Sequence, residues 1–234
     1  MQTGSRMAFF IVVCFVLTMS ACSPASPVQD PVGETASDGE LSEAQVLEIV
    51  RSSLAAYPWR LEQSVLVKDT GQTITSLTEA QSSTRGYNRS VQSVGADTIT
   101  LETILIDSVV YLKMSGSPAE TYGLVDGQWT EVPPDSPLSQ FIDRGAIDPA
   151  RIAEIFATDF KSVSGGEKRF TAAGSEELDG VATTIYESSG ETFTYRWWIG
   201  SDRRFYKTTV DIPQAERTIV MEYDPDIVIE PPMP

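Results

Sequence analysis

The stretch TFTYRWWIGSDRRFYKTTV, residues 192–210, decides how this chain is read. Gly200–Ser201–Asp202 is a turn signal between two runs rich in β-branched and aromatic residues, which predicts a hairpin. Neighbouring side chains on a strand point to opposite faces. Phe193, Tyr195, Trp197 and Ile199 therefore share one face, and Arg196 and Trp198 take the other. So much aromatic surface on one face must be covered, by a protein core, by a partner or by a bound apolar molecule.

Working outward, period-two patterns recur on both sides. RLEQSVLVKD and QTITSLTEA flank a DTGQ turn, and TRGYNRSVQSV is a further, less apolar strand. TITLETILIDSVVYLKM turns at Asp107–Ser108, while YGLVDGQWTEVP carries an Asp–Gly signal at 126–127. KRFTAAGSEELDGVATTIYESS turns at Asp179–Gly180, and ERTIVMEYDPDIVIEPP closes the chain as a strand.

Two segments carry a helical period instead. In LSEAQVLEIVRSSLAAYPW, Ser42 and Gln45 form a capping-box pattern. Val46, Ile49, Val50 and Leu54 then make one stripe, and Pro58 ends it. In PPDSPLSQFIDRGAIDPARIAEIFATDF, Ser136 and Asp148 are N-caps, each followed by Pro at the first helical position. Ile152, Ile155, Phe156 and Phe160 form the apolar stripe of the second of these helices. Helix, strand series, helical insert and strand series together predict an α+β domain: an antiparallel sheet with helices gathered on one side.

The N-terminus speaks to location. Arg6 precedes an apolar run from Met7 to Met19 that is too short for a bilayer-crossing helix, and Ser20, Ala21 and Cys22 follow. That is the pattern of a removable export signal, residues 1–21. Met19–Ser20–Ala21–Cys22 resembles a bacterial lipobox, with Met19 where an aliphatic is usual. Cys22 would then be lipidated, carry acyl chains such as palmitate, and become the mature first residue. Cys14 lies inside the signal, so Cys22 has no disulfide partner, and attachment to lipid accounts for it. Residues 22–40, rich in Pro, Ser and acids, read as a flexible tether, and residues 41–234 as a single domain.

Composition excludes several functions. The chain holds 17 basic and 33 acidic residues, a net charge of −16, and removing the signal takes one positive charge with it. Such a surface repels nucleic acid and anionic headgroups. There is no histidine, the commonest general base and metal ligand.

Asp69–Thr70–Gly71 matches an aspartic-protease triplet, but it occurs once, between Lys68 and Gln72, and reads as a hairpin turn. None of Lys68, Lys113, Lys161, Lys168 and Lys207 follows a serine at the spacing of a Ser–Lys catalytic pair. Glu176–Glu177 reads as a solvated face, SGGEKR at 164–169 lacks the ending of a phosphate loop, and no cation-binding loop is apparent. The sequence therefore points to a non-enzymatic protein without cofactor or metal.

Apolar strand faces are left as the functional feature. Val65 and Val67, then Ile99, Leu101 and Leu105, then Val110, Leu112 and Met114, and finally Tyr195, Trp197 and Ile199 are candidates for lining a cavity. Alternation alone favours ordinary core for most of them. Trp198, on the other face, is expected to lie under a neighbouring side chain such as the stem of an arginine.

The order of pieces resembles the LppX/LprG-type bacterial lipoproteins. ILIDSVVYLKMSG with YGLVDGQWTEVP, then IDPARIAEIF, LDGVATTIYE, YRWWIGSDRRFYKTTVD and IVMEYDPDIVIEPP follow one another as in that family, over roughly Leu41 to Pro232. The resemblance implies the fold of the LolA/LolB carriers, a strongly curved antiparallel half-barrel with helices on its concave side and an apolar cavity. It also implies a protein that binds lipid or acylated molecules and carries them across the envelope; the chain is expected to be a monomer, held through Cys22 at the cell membrane outside the cytoplasm. The competing reading is a surface lipoprotein that binds another protein and has no ligand cavity.

Overall fold

The computed structural model describes residues 39–94, 97–116, 119–142, 147–164 and 168–232. The expected signal, Cys22 and the expected tether up to residue 38 lie outside the described residues.

The strands are β1 (Glu40–Ser42), β2 (Trp59–Val67), β3 (Gln72–Ser82), β4 (Arg85–Val94), β5 (Asp97–Ile106), β6 (Val109–Ser115), β7 (Trp129–Glu131), β8 (Arg169–Leu178), β9 (Val181–Ser189), β10 (Thr194–Gly200), β11 (Phe205–Asp211) and β12 (Ala215–Tyr223). They form one open antiparallel sheet in the order β1-β8-β9-β10-β11-β12-β2-β3-β4-β5-β6-β7. The helices are α1 (Glu43–Ala55) and α2 (Pro149–Ser164).

Local chemistry explains the boundaries. The Ser42 hydroxyl accepts from the Gln45 N–H, and the Gln45 side chain accepts from the Ser42 N–H, which closes the capping box of α1. Asp148 caps α2 by accepting from the Ala150 N–H. Ser136 caps a 3-10 turn, Pro137–Phe141, where an α-helix was expected. Asp107 and Ser108 both adopt positive φ, 47° and 79°, as a two-residue hairpin requires. Asp69–Thr70–Gly71 is a turn, with the Gly71 N–H donating to the Val67 carbonyl at 2.8 Å.

The main core lies where α1 and α2 cover the sheet. Val46, Ile49, Val50 and Leu54 of α1 and Ile152, Phe156 and Phe160 of α2 meet Trp59, Leu61, Tyr195, Trp197, Phe205, Ile219 and Met221. A bulge between Trp198 and Ile199 interrupts the β10–β11 ladder next to Phe205. The two backbone groups of Phe205 find other partners: its N–H donates to Ser53 Oγ at 3.2 Å, and its carbonyl accepts from the Tyr223 hydroxyl at 2.6 Å. The Trp59 indole N–H donates to the Leu54 carbonyl at 2.8 Å, tying the end of α1 to β2.

Two smaller cores complete the fold. Leu112 and Met114 pack with Ala119, Leu124 and Val132 from the connection that follows β6. On the opposite face, Ile104 and Ile106 pack with Ile227 and Ile229. The chain end therefore differs from the expected long closing strand. β12 stops at Tyr223, Asp224 turns at φ 56°, and the tail runs over β4–β6 with Ile227 and Ile229 facing in.

The helix-facing side of the sheet

In an antiparallel pair, directly opposed residues share a face, so the registers can be followed across the sheet. One row runs Tyr195, Val210, Arg217, Val65, Ile74, Gln92, Ile99. The next runs Trp197, Thr208, Ile219, Gln63, Ser76, Ser90, Leu101, Met114. Thr78, Asn88, Thr103 and Leu112 follow in a third, and Gly86, Leu105 and Val110 in a fourth. With Val67 beside Val65 and Ile199 in the helix core, every candidate lies on the face that α1 and α2 cover in part.

That shared face is not covered uniformly. Tyr195, Trp197 and Ile199 belong to the helix core, and Leu105 packs against its edge. Phe156 and Phe160 meet Trp197 edge-on, with ring centroids at 5.2 and 6.1 Å, and Trp197 is fully buried. Leu101, Leu112 and Met114 belong to the core beside β6. Val65, Val67, Ile99 and Val110 belong to neither among the described residues; Val65 and Val110 are nonetheless buried, and Val67 and Ile99 are half-buried.

An open pocket of about 490 Å³ lies at one end of this face, between α1 and the β8–β10 ladder. Leu41, Ile49, Ala182, Tyr186 and Ile199 give it apolar walls, and Ser175, Thr184 and Arg203 add polar groups. Of the sequence candidates, Ile199 lines it. Sequence reasoning missed the other wall residues, which come from strands and a helix far apart in the chain. It also passed over Gln63, Ser76, Ser90 and Gln92, polar residues at inward positions. Their signal was the unbroken alternation of β2–β4, in which charged residues such as Arg60, Glu62, Glu79, Arg85 and Arg89 all fall in the outward register.

The outward face is charged and paired. Arg60 bridges Glu79 at 2.8 Å and Glu222 at 2.7 Å, Lys113 meets Glu102 at 2.7 Å, and Arg196 meets Glu187 at 2.6 Å. Burial pushes the Glu102 carboxyl up, but hydrogen bonds from Lys113 and Tyr87 outweigh it and hold the group below its usual range. Trp198 is buried on this face: its indole donates to Glu176 Oε2 at 2.5 Å, and the cation over its ring is Lys207 rather than the expected arginine. Among the described residues, no group of Asp, Glu or Cys side chains is placed to hold a metal ion.

No protein-family model matches the chain, and no curated protein matches it in sequence. Solved structures do resemble it at low identity. LprF from Mycobacterium bovis aligns with a TM-score of 0.49 and 15% identity over 81% of this chain and 96% of LprF. The lipoprotein LppX from Mycobacterium tuberculosis aligns at 0.34 and 13%, over 80% of this chain and 99% of LppX. A chain of the Pseudomonas aeruginosa MucA/MucB complex aligns at 0.39 and 9%, over 78% of this chain and 58% of that one.

Proposed function

We propose that this protein is an extracytoplasmic lipoprotein, anchored through Cys22 after removal of residues 1–21, that binds lipid or acylated molecules against the helix-facing side of its sheet. The observation that carries this reading is the mismatch between the sheet and its cover. All the apolar candidates share one face of a twelve-stranded sheet, and among the described residues Val65, Val67, Ile99 and Val110 lie outside the two cores that α1, α2 and the connection after β6 build on it, Val67 and Ile99 being half-buried. A twisted sheet of this width curls, and on this reading the shared face is the concave side of a half-barrel. Capture of an acyl chain there removes apolar surface from water at roughly 25 cal/mol per Å². The open pocket beside Ile199 has a volume within the range of small-molecule sites.

Two measurements test the proposal. Native mass spectrometry of the purified chain should show co-purifying lipid that solvent extraction removes. Membrane fractionation should find the Cys22→Ser variant released from the membrane. A lipid-free protein that takes up no acyl ligand overturns the binding role.

The protein-interaction reading has one observation in its favour. Among the described residues, Gly39 and β1 pair with Arg169–Ala172 alone, which leaves the β8 edge beyond Ala172 exposed for an added strand.

A further inference from the structure

We infer that the middle of the helix-facing side of the sheet is a polar subsite, built by Gln63, Ser76, Ser90 and Gln92, that holds an uncharged oxygen-bearing group of the ligand: an ester or amide carbonyl, or a hydroxyl. This rests on the lipid-binding reading above and names which part of the guest lies there.

Gln63, Ser76 and Ser90 oppose one another directly across β2, β3 and β4, and Gln92 stands two residues along β4 from Ser90 on the same face. None of their side chains makes a hydrogen bond among the described residues. Gln92 is 8% exposed, and Gln63, Ser76 and Ser90 are half-buried. At the helix end of the same row, the Trp197 indole N–H and the Thr208 hydroxyl are buried and also lack hydrogen-bond partners. Buried polar groups nearly always find a partner, because each one left without costs more than a made bond returns. The neighbouring row obeys that rule, since the Asn88 amide donates to Thr78 Oγ1 at 2.8 Å. Donors and acceptors left unanswered side by side, Gln63, Ser76 and Ser90 in one row and Gln92 in the next, are what a site for a hydrogen-bonding guest requires.

The chemistry of the guest follows from charge. On this face β2, β3 and β4 carry no ionisable side chain, while the opposite face of the same strands carries Arg60, Glu62, Glu79, Arg85 and Arg89. Hydroxyls and amides answer carbonyls and hydroxyls on equal terms. A phosphate or carboxylate would lose its hydration and gain no counter-charge from these residues. Arg217, on the same face of β12, has its guanidinium 5.7 Å above the Phe156 ring, against α2. The chain's net charge of −16 opposes an anion as well.

The test uses the full chain and two probes with identical tails, dioleoylglycerol and dioleoyl phosphatidic acid, each competing with the neutral fluorophore N-phenyl-1-naphthylamine. Dioleoylglycerol should bind the more tightly. Gln92→Leu, and separately Ser76→Ala/Ser90→Ala, should weaken it by about tenfold while leaving displacement by hexadecane unchanged. Equal or tighter binding of phosphatidic acid, or variants that bind dioleoylglycerol as well as the parent does, overturns the polar subsite and leaves the lipid-binding reading intact. Failure of all three probes overturns both. Thermal unfolding of each variant separates lost binding from lost fold, and a Gln92→Glu variant that keeps the fold should also lose dioleoylglycerol.

Discussion

The Lys207 ammonium stands 4.4 Å above the Trp198 ring, on the face of the sheet opposite the one that buries Trp197. Adjacent tryptophans thus have unlike surroundings. Trp197 is enclosed by Phe156, Phe160 and Phe205. Trp198 is held by one cation and by the Glu176 carboxylate.

The two positions should therefore respond differently to truncation. Trp197→Ala empties a closed aromatic core and should cost about 3–5 kcal/mol. Trp198→Phe keeps the ring but removes the bond to Glu176, and should cost about 1.5–3 kcal/mol. Urea unfolding of both variants checks this, and a double-mutant cycle of Trp198→Phe with Glu176→Gln should show that the pair is coupled.

Gly86 sits where β4 passes Ile147. A Cβ added there would clash with Ile147 Cγ2. Gly86→Ala should destabilise the fold by roughly 1–3 kcal/mol through overpacking. Adding Ile147→Ala should recover part of the loss, so that the double variant is more stable than the sum of the single effects. Strict additivity would mean that the two positions are not in contact.

Lys168 is buried beside the rings of Phe160, Phe193 and Tyr195, at 5.3, 5.5 and 5.4 Å, and its ammonium donates to the Phe160 carbonyl. Burial lowers its pKa below the ordinary 10.5, although the Glu43 carboxylate opposes the shift. Between the lowered native value and 10.5 the unfolded chain binds the extra proton, so this residue's contribution to stability rises with pH. In denaturant titrations on the alkaline side, Lys168→Met should lose that upward trend.

Tyrosines act in the opposite sense at higher pH. Burial, reinforced by the hydrogen bond to Asp202, pushes Tyr206 up from 10.0 to about 12. Burial likewise raises Tyr57, Tyr87 and Tyr223. A raised phenol contributes stability that is present in full below pH 10 and is lost as pH climbs toward 12. Tyr206→Phe should flatten part of that decline, read as the unfolding midpoint between pH 9.5 and 12.

Much of the local structure was legible because its causes lie within a few residues. Ser42 and Gln45 announce a helix start through their own hydrogen bonds. Asp107–Ser108 and Asp179–Gly180 tolerate the positive φ that a tight hairpin demands. Alternation in β10 assigned Tyr195, Trp197 and Ile199 to one face, and the bulge after Trp198 leaves Ile199 in the helix core. The tail was misread because PDIVIEPP alternates like a strand, whereas Asp224 turns it out of the ladder and onto Ile104 and Ile106.

The sequence by itself determined the two long helices, most of the strands, several turns and caps, the acidic net charge and the separation of apolar from charged strand faces. Each of these depends on bonds and sterics within a turn or a strand. Tertiary structure decided which cation covers Trp198, how the apolar face divides between two cores, and that Gln63, Ser76 and Ser90 continue the row of Trp197 and Thr208. Those outcomes depend on register between strands distant in the chain, such as Arg217 against Val65. A shift of one residue in that pairing would turn every side chain of the strand to the other face.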